Sequence, residues 1–362
     1  MSKIKVAVAM SGGVDSSVAA ALLKDKGYEV VGLTMRLWAC KTAASANKKL
    51  CCSLNDTEDA KKVCCLLAVP HYTVDFRKEF NKQVIEPFCE NYRRGITPNP
   101  CILCNQKIKF DLLLEKAKSL GFNFLATGHY AKIQPPFLLK GKDDNNDQSY
   151  WLYGVKEKNL KNILMPLGIY TKTQVRELAR KYHLNVAGKP KSQEICFIQD
   201  NNYRNFMKQY SVKEKHGAIV DKNGKVLGAH KGVSNFTIGQ RSGLGISAGK
   251  RVYVCRIVPE ENKVVIGDEK DVYSSELIVK NVNWFVHIEK FPLKTKVKIR
   301  YKHKEADAAI YKSDKILYKI VFDQPQWAVT PGQSAVFYAG NKVLGGGEIT
   351  HPLFLKEGIE GS

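Results

Sequence analysis

No apolar run in the 362 residues approaches the roughly 20 that a membrane-spanning helix requires, so a helical membrane protein is excluded. No leader is expected either. The opening MSKIKVAVAMSGG turns strand-like within a few residues and shows neither a secretory h-region nor an Arg-rich transit pattern. A soluble, cytoplasmic protein is therefore expected. There is only one C-x-x-C, and the eight histidines are scattered, so a four-ligand structural zinc site is not expected. No internal repeat or low-complexity tract occurs apart from the polar GKDDNNDQ, read as a mobile loop.

Acidic residues are also in short supply. Asp and Glu total 35 against 57 Lys and Arg, a formal charge of +22. Such an excess suits a polyanionic partner, because each neutralised phosphate releases counterions. Solvated Lys-rich faces would give the same number, so charge makes nucleic acid a candidate and no more. Hydrophobic residues at 44% and charged residues at 25% are ordinary for a globular chain, and the length allows two or three domains.

Ten cysteines could suggest disulfides, but the adjacent pairs Cys51/Cys52 and Cys64/Cys65 fit no extracellular framework. A reducing compartment is the better reading, with cysteines buried, metal-bound or reactive. Cys64 and Cys65 fall on or beside the apolar face of a helix and are expected in the core. Cys255, in strand-like RVYVCRIV, is also expected there, and Cys51 and Cys52 stay unassigned.

KIKVAVAM, SGGVDSS, VAAALLKDKG and EVVGLTM read in turn as strand, loop, helix and strand, a βαβ opening that demands a parallel sheet covered by helices. Gly12 and Gly13 let backbone approach a ligand, while Ser11, Ser16 and Ser17 add hydroxyls beside a helix N-terminus, which together make an anion site. The loop has neither the Walker lysine nor a G-x-G-x-x-G spacing. Further on, IKFDLLLEKAKSLG reads as a helix stopped by glycine, FLATGHY as a strand ending in a Gly-His turn, and FIQDNNYRNFMKQY as a helix closing the first domain. Ligands of a doubly wound sheet gather at strand carboxyl ends, which would bring Gly128 and His129 to the same edge as residues 11–17.

From GAIVDKNGKVLGAHKG onward, a hairpin turning at Asn223-Gly224, the chain alternates short strands: RVYVCRIV, KVVIGD, KVKIRYKHKEADAAIY, ILYKIVF and SAVFYAGNKVLGGGEI. The whole therefore reads as α/β, a doubly wound parallel sheet followed by two small mainly β domains, the last barrel-like, with boundaries at 1–208, 209–275 and 276–362. VKIRYKHK sets Lys298, Arg300, Lys302 and Lys304 with His303 around Tyr301, a stripe for phosphate and stacking contacts or an ordinary solvated face.

The S-G-G-x-D-S loop resembles that of the PP-loop ATP pyrophosphatases, which transfer AMP to an oxygen and release pyrophosphate. In order, SGGVDSS, TPNPCILCNQKIKF, ATGHY, DQSYWLY, ICFI, TIGQRSGLGI and TPGQSAVFY are similar to the motifs of the tRNA-uridine 2-sulfurtransferase family over nearly the whole chain. The resemblance implies that ATP activates the C2 oxygen of the wobble uridine of tRNA and that persulfide sulfur replaces it. It implies an ATP site at Ala9, Met10, Ser11, Gly12, Gly13, Val14, Asp15, Ser16, Met35 and Gly128, with Asp15 near Mg2+. It makes Cys104 the nucleophile and Cys196 the persulfide carrier. Asn99, Pro100 and Cys101 would contact the target base; His129, Asn146, Asp147, Gln148, Arg300, Tyr301 and Gln333 would contact tRNA. A sulfur donor or relay protein is a further implied partner. The chain departs from the family at Cys101, where many members carry Asp.

Two distant cysteines suit this chemistry, since a second thiolate can attack the Cys196 sulfur and free the sulfur it carries. Lys107 and Lys109 are expected to favour thiolate at Cys104. An iron-sulfur cluster on Cys101, Cys104 and Cys196 is an alternative route to the same product. A PP-loop ligase acting on a small metabolite would have no use for those cysteines. A non-enzymatic RNA-binding protein would have no use for an intact loop.

Overall fold

Alternating valine and alanine in KVAVA cover both faces of a buried strand, and Lys5–Ala9 forms β1 in the computed structural model. The structure describes residues 3–38, 54–190, 195–198, 202–210, 215–247, 249–314 and 316–350, so Cys51 and Cys52 lie outside the described residues. The chain forms two compact units, Met1–Ile85 with Pro100–Asn202 and Gly340–Leu344, and Glu86–Asn99 with Tyr203–Ala339 and Gly345–Ser362. Among the described residues no helix is long and apolar enough to cross a membrane.

In the first unit β2 (Glu29–Arg36), β3 (His71–Asp75) and β4 (Phe124–Ala126) follow β1, then a hairpin of β5 (Ala131–Gln134) and β6 (Phe137–Lys140), then β7 (Ile163–Leu164). Five of these make a parallel sheet in the order β3-β2-β1-β4-β7. Helix α1 (Val14–Asp25) lies on it through Val18, Ala19 and Ala20, all fully buried against Val6 and Val8. The alanines keep α1 close to the strands, and each buried valine contributes about 1.5–3 kcal/mol. Because β1 pairs with β2 on one side and β4 on the other, strand order reverses at β1. A crevice opens there beyond the carboxyl ends.

Helix α2 (Leu54–Leu66) buries Cys64 but leaves Cys65 exposed, which corrects the expectation that both are core. Only one of two adjacent helical positions can face the sheet. Burial pushes the Cys64 thiol up to about 11. Iodoacetamide at about pH 8 should therefore label Cys65 at least roughly 100-fold faster than Cys64, as read by peptide mass spectrometry. Cys255 is only half-buried, its thiol facing the Tyr253 carbonyl.

The loop GKDDNNDQ carries several hydrogen bonds of its own. Asp143 accepts the Lys172 N–H (2.8 Å) and the Asn146 side chain (3.0 Å). Asp147 accepts the Gly141 N–H (2.8 Å) and the Ser149 hydroxyl (2.6 Å).

In the second unit the helix Tyr203–Gln209, expected to close the first domain, packs on the helix Glu86–Arg93. Tyr203 stacks on Tyr92 at 4.6 Å and Phe206 meets Phe88 edge-on at 6.1 Å. Strands β8 (Gly217–Val220), β9 (Val226–His230), β10 (Tyr253–Val258) and β11 (Lys263–Gly267) form a sheet in the order β10-β11-β8-β9. Its hairpin turns at Gly224, whose φ of +84° suits glycine.

Six further strands, β12 (Tyr273–Trp284), β13 (Leu293–Lys298), β14 (Ala306–Lys312), β15 (Tyr318–Trp327), β16 (Ser334–Ala339) and β17 (Lys342–Thr350), run in the order β12-β15-β14-β13-β16-β17. Pairing of β12 with β17 from Gly345 onward closes the barrel. KVKIRYKHKEADAAIY, read as one strand, is therefore two. The His303 N–H donates to the Arg300 carbonyl (3.1 Å), and the Arg300 guanidinium donates to the Ile238 (3.3 Å) and Ala328 (3.0 Å) carbonyls. These bonds hold residues 299–305 as a turn.

Candidate functional site

The loop between β1 and α1 forms one wall of a cavity of about 360 Å³ in the first unit. Gly13 is the N-cap of α1 and offers no side chain to the first N–H groups, which leaves them for an anion. The Ser16 hydroxyl accepts the Ser11 N–H (3.2 Å), and Ser17 donates to the Gly13 carbonyl (2.8 Å). Gly12 has φ +68°, and a Cβ there would lie 2.2 Å from the Asp56 carbonyl oxygen, so the loop requires glycine. Of the expected nucleotide residues, Ala9, Met10, Ser11, Gly13, Val14, Asp15, Ser16, Met35 and Gly128 line the cavity; Gly12 turns its carbonyl to Lys189 at 2.9 Å instead. Met35, Leu37, Phe80 and Val84 supply an apolar wall suited to a base.

Asp15 is held from two sides. Lys172 donates to both carboxylate oxygens (2.6 and 2.7 Å) and the Tyr130 hydroxyl donates to one (2.7 Å). A magnesium ion at Asp15 would have to share those oxygens with an ammonium. Lys189 pairs with Asp56 (3.0 Å) and Asp59 behind the loop. Lys172, Lys189, Tyr130 and Trp151 also line the cavity and are not among the site residues expected from the sequence. A signal for Lys172 existed. It sits in the first turn of α3 (Lys172–Lys181), after a Thr171–Gln174 capping box, where the helix dipole disfavours a cation. Such a lysine implies an anion nearby, and Asp15 is that anion.

The segment NPCILCNQKIKF enters a helix. Residues Pro100–Leu103 are α-helical, Cys104–Leu113 take π geometry, and Leu114–Ser119 return to α before Gly121 at φ +82°. π segments re-aim side chains at functional sites. Here Cys101, Cys104, Asn105 and Lys109 all face the cavity. Asn105 is buried, donates to the Trp151 carbonyl (3.0 Å) and accepts from the Lys109 ammonium (2.8 Å). Burial pushes the Cys104 thiol above its ordinary 9.0, and Lys109 opposes this only in part. The expected thiolate setting is therefore corrected: desolvation outweighs the one ammonium, and Lys107 is not among the lining residues.

Cys196 lies on a turn in which the Ile198 N–H donates to the Ile195 carbonyl (3.0 Å). Its neighbour Phe197 is anchored edge-on against Phe80 at 5.7 Å. Cys101, Cys104 and Cys196 thus share one cavity. Among the described residues, however, no three His, Cys, Asp or Glu side chains are arranged to hold a metal ion.

Pro100, Cys101, His129, Asn146 and Gln148, expected to contact tRNA, also line the cavity. His129 Nδ1 bonds Thr127 Oγ1 (2.8 Å), and burial with Lys109 holds its pKa well below 6.5. It is a neutral hydrogen-bonding imidazole at neutral pH, not a cation for phosphate. Gln148 accepts the Tyr130 N–H at 2.9 Å, and Asp147 is buried within its own loop. Asn99, Arg300, Tyr301 and Gln333 belong to the second unit. There Gln333 donates to the Thr97 carbonyl (3.1 Å), and Lys298 lies 5.6 Å from the Tyr301 ring centre.

Three family profiles match successive stretches of the chain. Residues 4–200 match the profile described as "tRNA methyl transferase HUP domain", residues 204–268 the "tRNA methyl transferase PRC-barrel domain" and residues 274–349 the "Aminomethyltransferase beta-barrel domain". The chain is 50% identical to the tRNA-specific 2-thiouridylase MnmA of Carboxydothermus hydrogenoformans over 95% of its length and 97% of the relative's. It is 50% identical to that of Acetivibrio thermocellus, covering 96% and 100%, and 48% identical to that of Clostridium botulinum, covering 96% and 98%.

Proposed function

This chain belongs to the tRNA-specific 2-thiouridylase family and is a tRNA sulfurtransferase, and from that premise we propose that one cavity in the first unit runs both halves of an ATP-dependent thiolation of the wobble uridine. The observation that carries this is the lining of that cavity, where the glycine-serine loop faces Cys104 and Cys196.

ATP is the co-substrate. The uncapped N–H groups of α1 hold the departing diphosphate, and the apolar wall at Met35 and Phe80 takes the adenine. The uridine O2 attacks the α-phosphorus, pyrophosphate leaves, and C2 gains AMP as a leaving group. The terminal sulfur of a Cys196 persulfide then attacks C2 and displaces AMP, leaving C2–S–S–Cys196. The Cys104 thiolate attacks the Cys196 sulfur; the C2–S electrons collapse to the thiocarbonyl, and a Cys104–Cys196 disulfide remains for reduction by external thiols. The β modules, 209–275 and 276–362, serve the folded RNA around the flipped base, with Tyr301 and its neighbouring lysines on the backbone. The protein works in the cytoplasm with a persulfide donor protein.

The test is single-turnover thiolation of unmodified tRNA with ATP, Mg2+ and a persulfide donor. Pyrophosphate release should require tRNA and precede 2-thiouridine. Release that proceeds equally without tRNA, with no thiolated product, would return the chain to a ligase for a small metabolite.

Acidity adds a second expectation. A thiol raised above 9.0 by burial is protonated at neutral pH, and its thiolate fraction grows tenfold per pH unit until the pKa is passed. Sulfur transfer from pre-adenylated tRNA should accelerate about tenfold per unit between about pH 7 and 9. A flat profile measured by rapid quench would show that Cys104 does not limit the step.

A further inference from the structure

Resting on that reading of Cys104 and Cys196, we propose that Cys101 is the resolving thiol of the cycle, moving the disulfide off Cys196 before the external reductant acts. Cys101 and Cys104 stand three residues apart at the start of one helix, with Pro100 as its first residue. That spacing puts both side chains on one face, with Cβ atoms about 5–6 Å apart. Their Cα separation is then within the range a disulfide spans. Cys-x-x-Cys pairs at helix starts are the common architecture of dithiol exchange.

Proximity on one helix, together with the burial of Cys104, favours the exchange. Cys104 is 8% exposed, while Cys101 and Cys196 are partly open to the same cavity. An external dithiol meets the buried Cys104 sulfur less readily than Cys101 does, because Cys101 adjoins it on the helix. The Cys101 thiolate attacks Cys104 Sγ, the Cys104–Cys196 bond breaks, and Cys196 leaves as the thiolate. Two thiol sulfurs stay oxidised throughout, so the exchange needs no added oxidant or reductant. Its products are a Cys101–Cys104 disulfide and a Cys196 thiolate ready for the next persulfide. An external dithiol then reduces the Cys101–Cys104 bond through the more exposed Cys101 sulfur. The intramolecular attack is favoured by the high effective concentration of neighbouring groups.

The test maps disulfides on the full-length enzyme after one turnover without reductant, by acid quench, alkylation and peptide mass spectrometry, scored per thiolated tRNA formed. Wild type should carry Cys101–Cys104 and an alkylated Cys196. The Cys101→Ser variant should instead carry one Cys104–Cys196 disulfide for each product, whatever its overall rate. Wild type that retains Cys104–Cys196 with Cys101 alkylated would overturn the proposal while leaving the sulfur-transfer reading intact. Product formed with no disulfide on Cys104 in either protein would sink that reading itself. Stoichiometric iron and labile sulfide bound through Cys101 in anaerobically purified enzyme would also overturn the resolving role.

Discussion

Cys196→Ser should reduce single-turnover thiolation to below about one thousandth of the native rate, with tRNA-dependent pyrophosphate release retained. A serine hydroxyl cannot carry a sulfane sulfur as a persulfide, whereas the glycine-serine loop that binds ATP is untouched by the change. Adenylated tRNA should then accumulate, as read by radiolabelled AMP on the RNA. Cys104→Ser should lose as much product for a different reason. Its first sulfur bond still forms, so the tRNA stays joined to Cys196 as C2–S–S–Cys196. The adduct should run as a protein–RNA band that dithiothreitol dissolves. If Cys104→Ser accumulates adenylated tRNA and no adduct, Cys104 acts earlier, freeing hydrosulfide from the persulfide. Native-rate thiolation by either variant removes the cysteine assignment altogether.

The distribution of what could be read from the sequence follows from the range of the interactions. Strand β1, the glycine loop and α1 are contiguous, and hydrophobic alternation with a glycine turn states them locally. The parallel order around β1 follows from the βαβ rule. Lys172 and Lys189 reach the loop from far along the chain; the capping box before Lys172 hints at an anion without naming Asp15, and no local pattern announces Lys189. The π stretch at Cys104–Leu113 leaves the hydrophobic pattern of IKFDLLLEKAKSLG helical, so the re-aiming of Asn105 and Lys109 was hidden. Acidity was misjudged for a related reason. Lysines near Cys104 in sequence suggest thiolate, but only folding shows that Cys104 is desolvated and Lys109 alone opposes it. At residues 299–305, alternation suggested one strand, and hydrogen bonds from Arg300 to distant carbonyls decided otherwise.

Gly128→Ala is expected to reduce tRNA-dependent pyrophosphate release by about 100-fold. Gly128 follows β4 and has no positive φ to require glycine. The added methyl is instead excluded by position, because its Cβ would lie 2.7 Å from the Asp15 carbonyl carbon, 2.7 Å from the Ser16 nitrogen and 3.0 Å from the Asp15 Cβ. Two of those atoms are backbone in the first turn of α1, which cannot rotate away as a flexible side chain would. The turn must shift, and with it the N–H groups proposed to hold the diphosphate and the Asp15 carboxylate clamped by Lys172 and Tyr130. Overpacking of this kind costs about 1–3 kcal/mol of stability, so a control must separate instability from a displaced loop. Gly27→Ala provides it. Gly27 has φ +82° with no atom near the added Cβ, so that variant should lose about 1–2 kcal/mol through backbone strain alone while releasing pyrophosphate normally. If both variants unfold at similar denaturant concentrations but only Gly128→Ala loses activity, the placement of the first turn of α1 is what the reaction depends on. Equal activity in the two would mean that the turn tolerates displacement and that the diphosphate is held elsewhere.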